Sequence, residues 1–266
     1  MKFNCLRSLI AAAIVSCLAT SSVAQTLETY QGLPRPLNLS PIGPTYKSAS
    51  HASSIAFANS LLPGFLGFVH SHLPEGKVFT GASLNQLDPT RLFFTSDYSP
   101  TVYFLSEGAG YNNALCVTIA QAALPTNKPV AGDHYIVFPL AQSPKGTVNT
   151  GPKLSQTQPL MPGDFVELGS ISAGSQLAFF LAAEMDSTTA SATPKYVYYN
   201  GEATNPDNYQ HMIAFFPNDG QFIIIAFEDM NSVTEKSDLD CNDVVFAVDI
   251  GPDNANTLRN ISSFPR

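Results

Sequence analysis

The chain of 266 residues contains no tryptophan and four cysteines, and Asp, Glu, Lys and Arg together make up only 13% of it. A charged share about half that of an ordinary soluble domain argues against intrinsic disorder and against a coiled coil. Bases are scarcer than acids, 13 Lys and Arg against 21 Asp and Glu, for a formal charge of -8. A protein that works by attracting nucleic-acid phosphates or anionic lipid is thereby excluded. After the first two dozen residues no apolar run reaches the roughly 20 residues that span a bilayer, so no membrane insertion of the mature chain is expected.

What is present begins with an export signal. Met1 to Ala24 opens with Lys2 and Arg7, runs apolar from Leu9 to Ala19 and ends Ser22-Val23-Ala24 before Gln25. That order of basic start, short apolar stretch and small-residue cleavage site reads as a secretory signal peptide, and a secreted or periplasmic product is expected. Its removal takes away Cys5 and Cys17 and leaves Cys116 and Cys241. In an oxidising compartment two cysteines read as one disulfide or as two buried free thiols. A bridge closing so long a loop would contribute about 3 to 5 kcal/mol.

Residues 25–52 hold several prolines and little periodicity, the texture of an extended arm. Over residues 53–72 the apolar positions Ile55, Phe57, Leu61, Leu62, Phe65, Phe68 and Val69 recur near helical spacing, interrupted by Pro63-Gly64, which predicts one or two short helices. Residues 73–252 then carry short apolar runs bounded by Gly, Pro, Asn and Asp. The predicted strands are 77–80, 91–95, 101–105, 115–120, 134–140, 165–168, 176–182, 195–199, 211–216, 221–227 and 243–250. Many short strands without intervening amphipathic helices predict an all-β domain, an antiparallel β-sandwich of jelly-roll-like kind. Residues 187–193 read as a flexible crossing, and 253–266 as a C-terminal tail.

The acid is concentrated. Asp219, Glu228, Asp229, Glu235, Asp238, Asp240, Asp243, Asp249 and Asp253 fall in one stretch against a single base, Lys236. Two strongly β-forming runs, 222–227 and 244–248, deliver carboxylates to both ends of one loop. Like charges brought that close raise one another's pKa unless a cation neutralises them. The ligand set is all oxygen, which suits a hard ion and disfavours zinc or copper, and calcium accepts irregular oxygen geometry better than magnesium. An EF-hand is rejected, because Asp243 stands where that loop needs its turn glycine and a strand follows instead of a helix. The competing reading is a solvated acidic loop.

With these residues named, residues 171–250 resemble the bacterial domain of unknown function numbered 4114, found in secreted and surface proteins. The resemblance rests on Ala173-Gly174-Ser175-Gln176-Leu177-Ala178-Phe179-Phe180-Leu181, on Asn205-Pro206-Asp207 with His211, and on Phe227, Glu228, Asp229, Asp238, Asp240, Asn242, Asp243 and Phe246. Upstream, Leu73-Pro74-Glu75-Gly76 and the run Glu107 to Leu115 are similar to stretches that precede this domain in longer relatives. The resemblance implies a β-sandwich, export and calcium binding by Glu228, Asp229, Asp238, Asp240, Asn242 and Asp243, and no established activity. Cys116 and Cys241 are both departures from the family pattern inside motif segments, which implies that the segments are neighbours joined by Cys116–Cys241. Glu107 would then also approach the ion.

The remaining chemistry-bearing residues read blandly. His70 and His72 lack a third metal ligand. Ser172 lies in a glycine-flanked turn that precedes a strand and is no nucleophile elbow. His211 could join a Ser and an Asp in a triad only if geometry brought them together. Tyr196, Tyr198 and Tyr199 could line a sugar-binding face, although alternate strand aromatics are usually half core. The expectation is a non-catalytic calcium-binding module of an extracellular binding or adhesion protein, its partner an extracellular polysaccharide or surface polymer. The alternatives are a secreted hydrolase using the acidic cluster and a structural matrix component. The chain ends at Arg266 with neither a sorting helix nor a repeat stalk, so a free product is expected.

Overall fold

The computed structural model describes residues 35–81, 84–120, 134–141, 160–185 and 193–261. The signal peptide, the start of the arm, most of the 187–193 crossing and the end of the tail lie outside them. Two β-sheets form from the short apolar runs. One contains β1 (Ser40–Pro41), β5 (His134–Phe138), β4 (Ala114–Ala120), β7 (Gln176–Met185) and β8 (Pro194–Tyr199), in that spatial order. The other contains β2 (Asn85–Leu87), β9 (Met212–Phe216), β10 (Phe222–Phe227), β11 (Val244–Asp249), β3 (Thr101–Ser106) and β6 (Phe165–Glu167). Every pairing is antiparallel except the short β1–β5 contact.

Strand side chains alternate between faces, and here both faces are apolar. Val102, Phe104, Ile223, Ile225, Phe227, Val244, Phe246 and Val248 meet Leu115, Val117, Leu177, Phe179 and Leu181 in the core between the sheets. Phe179 lies 5.1 Å from Phe246 across that core, ring centre to ring centre. The alternate residues Tyr103, Leu105, Ile224, Ala226, Val245 and Ala247 face outward under a second cluster with Phe57, Phe65 and Val69. Those three come from α1 (Ala52–Ser60) and α2 (Leu62–His72), two helices bent by 52° at their junction. Proline at the first turn of α2 costs no hydrogen bond, so Pro63 divides the helical segment without ending it. Among the described residues no single helix is long and apolar enough to cross a membrane.

The same alternation separates the two thiols. Leu115 and Val117 point into the inter-sheet core, so Cys116 points out the other way, into a cluster with Ile136 and Phe180. Cys241 packs on the far side of the other sheet, in the helix-covered cluster. Both are buried and free. The expected Cys116–Cys241 disulfide is therefore corrected: both sheets stand between the sulfurs.

Two further expectations change. Residues 77–80 are not a strand but an irregular segment held by the Phe79 N–H donating to Leu239 O at 2.7 Å. Residues 91–95 contribute only a single bridge, Phe93 to Gln176. The tail contains α3 (Pro252–Ile261), whose Ala255 and Leu258 enter the inter-sheet core. Asn254 docks it, accepting from the Thr95 and Ser96 amides at 2.8 and 2.9 Å and donating to Ser96 O and Ile250 O.

Candidate functional site

The antiparallel pairing of β10 with β11 ends at Phe227 opposite Val244, so the 228–243 connection leaves and re-enters the sheet at adjacent points. Asp243 N–H donates to Phe227 O at 3.1 Å, which closes the loop's neck. Asp229 N–H donates to Asp243 Oδ2 at 2.7 Å. This clamp brings Glu228, Asp229 and Asp243 together, one carboxylate oxygen from each lying within 4.8 Å of the others. Glu228 and Asp229 are buried, at 0% and 1% exposure.

Crowding three carboxylates together with two of them buried is costly, and their acidities record it. Burial pushes Asp229 up to about 7, with the Glu228 charge adding to it and the Asn113 amide opposing it. Asp243 is driven well above the usual carboxylate range by burial and then by the charges of Asp229 and Glu228. Glu228 is raised by burial and by Asp238. Its Oε2 is buried and finds no hydrogen-bond partner among the described residues. An orphaned buried carboxylate oxygen beside two other carboxylates calls for a proton or a cation.

Two neighbours fix this cluster. Asn113, buried just before β4 in the opposite sheet, donates its Nδ2 to Asp229 Oδ2 at 2.6 Å. His211, fully buried before β9, has Nδ1 2.9 Å from Glu228 O and Nε2 2.9 Å from Asp207 Oδ2. Its ring stacks on Tyr198 at 3.6 Å. Both ring nitrogens are thus engaged by a backbone carbonyl and a carboxylate, and the Ser232 amide donates to the same Asp207 oxygen at 2.8 Å. Burial would raise Asp207, but the Ser232 amide and His211 outweigh it and lower its pKa. His211 holds the loop's neck and forms no serine triad.

The other expected ligands gather separately. Asp238 and Asp240 meet Glu75, again with one oxygen from each within 4.8 Å. Asp240 is buried, and burial raises it to about 6 against the opposing pull of the Gly76 and Asn242 amides. Its oxygens accept from Gly76 N–H at 2.8 Å and from Asn242 N–H and Nδ2 at 3.1 and 2.8 Å. Asn242 thus serves as a hydrogen-bond donor to Asp240. Glu107 belongs to neither trio; it lines a cavity of about 430 Å³ together with Glu75, Leu73, Gly108 and Asn242. A Cβ at Gly108 would strike the Asn242 side chain, which explains the glycine there.

The seven expected ligands therefore divide: three at the neck, two with Glu75, and Asn242 and Glu107 beside that second trio. Sequence reasoning did not find Glu75 or Asn113, because each reaches the loop from a segment far along the chain. Tyr198 is buried and Tyr196 half-buried, so that strand does not present its aromatics as one face.

A chain that is mostly β, two sheets carrying one acid-clamped loop, is the class this architecture defines. Residues 171–251 match the family model of the domain of unknown function (DUF4114), a segment running from the turn before β7 through β11 and including the whole acidic loop. No curated protein and no solved structure matches the chain.

Proposed function

We propose that the protein is a secreted bacterial calcium-binding module on a jelly-roll-like β-sandwich, non-catalytic, acting as an extracellular binding or adhesion protein toward a polysaccharide or other surface polymer. The observation that carries the metal reading is the neck trio: three carboxylates within ligand reach, two of them buried and Asp243 half-buried, one with an orphaned oxygen. A divalent cation there replaces mutual repulsion by attraction and ties the ends of β10 and β11. An all-oxygen donor set favours calcium among the common cations. Ligand binding to the folded state alone stabilises it by mass action. The test is isothermal titration of calcium chloride into the chelator-stripped chain lacking residues 1–24, with magnesium and zinc as comparisons. Stoichiometric calcium binding that Glu228→Gln abolishes supports the reading; a chain that takes up no calcium defeats it.

A further inference from the structure

The strand β7 carries a flaw next to the neck. Glu184 adopts φ +50°, a left-handed conformation that side chains other than glycine adopt at a cost. The pairing with β8 keeps its register across this residue, Ala183 opposite Tyr196 and Met185 opposite Pro194, so the left-handed residue sits within an otherwise regular ladder. Its side chain is only 9% exposed, and Oε1 is buried without a hydrogen-bond partner among the described residues. Such an arrangement persists when something gains from it.

The hydrogen bonds name what gains. The turn at Glu184 aims two successive amides at the segment before β4: Glu184 N–H donates to Asn113 Oδ1 at 3.3 Å, and Met185 N–H donates to Asn112 O at 2.8 Å. Asn113 is thereby oriented with its Nδ2 on Asp229. By its side chain Glu184 reaches the loop a second time. Its Oε2 accepts from Lys195 Nζ at 2.9 Å, Lys195 also binds Glu235, and Glu235 Oε2 accepts from the Asn231 amide at 3.0 Å. One residue of the opposite sheet thus touches the acidic loop through two chains of contacts, one ending at a neck carboxylate and one at the backbone two residues beyond it.

We infer that Glu184 is a positioning residue of the neck cation site, its left-handed backbone retained because it orients Asn113 and, through Lys195 and Glu235, fixes the loop. The inference rests on the calcium reading and names no direct ligand. It makes an unusual demand: relieving the backbone should cost cation affinity without costing metal-free stability.

The experiment compares the parent chain lacking residues 1–24 with Glu184→Gly and Glu184→Gln, by calcium calorimetry and by thermal melts in EDTA. Glu184→Gly frees the backbone and cuts the side-chain path; its calcium affinity is expected to fall about 10- to 100-fold, the scale of losing an outer-shell partner, with the EDTA melting temperature equal or higher. Glu184→Gln keeps a side chain at the left-handed position and loses the Lys195 charge pair, so a smaller loss is expected. Unchanged affinity in Glu184→Gly overturns the inference, and so does a lowered EDTA melting temperature, which would mark a merely structural residue. Should Glu184→Gly not fold, Lys195→Met reads the side-chain path alone by the same two criteria. A parent that takes up no calcium removes both this inference and the reading beneath it, whereas a responsive parent with an indifferent Glu184→Gly removes this inference only.

Discussion

Two carboxylate trios stand along one loop, and they differ in what surrounds them. Glu228, Asp229 and Asp243 sit at the neck between strands, walled by Asn113 and the His211–Asp207 pair. Asp238 and Asp240 sit farther along the loop with Glu75 brought beside them from the segment after α2, where only Asp240 is buried and its oxygens are already supplied with amide donors. The number of acids is the same. The neck trio buries two of its carboxylates and leaves Glu228 Oε2 without a hydrogen-bond partner among the described residues, whereas the outer trio buries only Asp240 and supplies it with amide donors. Acidic density along a sequence cannot make that distinction, because solvation is a property of the folded surroundings.

The comparison can be broken most directly by chelation. With calcium at about a hundred times its dissociation constant, removing it should cost about 2.7 kcal/mol. At roughly 2 to 4 °C per kcal/mol for a chain of this size, the melting temperature in EDTA should fall by about 5 to 10 °C. Glu228→Gln or Asp229→Asn should erase that difference while raising the EDTA melt, since each removes a buried charge; Asp238→Asn should preserve most of it. Equal effects of Asp229→Asn and Asp238→Asn on the calcium increment would dissolve the contrast between the trios.

Asn113→Ala should destabilise by about 1 to 3 kcal/mol, the penalty for stripping a buried charged acceptor of its donor. Chemical denaturation in calcium and in EDTA reads this, and the loss should be greater with calcium, where Asn113 also holds Asp229 in place as a ligand. A loss of the same size in both buffers would mean that Asn113 serves the fold and not the site.

The pH response should carry opposite signs with and without the ion. In the metal-free protein Asp229 holds its proton up to about pH 7, whereas in the unfolded chain it loses it near the ordinary 3.8. Between those values the folded state binds more protons, so metal-free stability falls as pH rises from about 4 to 7. A bound cation favours the ionised carboxylates, and calcium-loaded stability should rise over the same interval. Melts in EDTA that gain stability on going from pH 5 to pH 8 would contradict the burial argument.

The smallest effect concerns the thiols. Denatured, unreduced chain lacking residues 1–24 should titrate two thiols, and dithiothreitol should leave the melt unchanged, because Cys116 and Cys241 are free on opposite sides of the two-sheet core. One disulfide and no thiol would require a different packing of β4 against the loop.

Much of the scaffold was legible in the sequence. The strand runs from 101 onward fall on strands in the structure, since each is an apolar run between turn residues and neither neighbour in the chain competes for it. Segment 77–80 failed because its Phe79 amide bonds to a loop, at Leu239, and among the described residues it pairs with no strand. The helix α3 was hidden by Pro252-Asp253-Asn254, which reads as a breaker yet begins a helix well, proline needing no amide partner there. The disulfide expectation failed on side-chain parity: a period of two put Cys116 on the face away from the loop, and sequence spacing between the motifs carries no information about which face is which.

By itself the sequence determined the two-sheet composition, the place of the acidic loop between two strands and the all-oxygen character of its candidate ligands, because apolar runs and residue types are local properties. Only the tertiary structure decided that the acids divide into a mostly buried trio and a mostly exposed one, that Asn113 and Glu184 reach the loop from the opposite sheet, and that the thiols stand apart. Each of those depends on which segments distant in the chain exclude water from one another, and that is settled when the sheets pack.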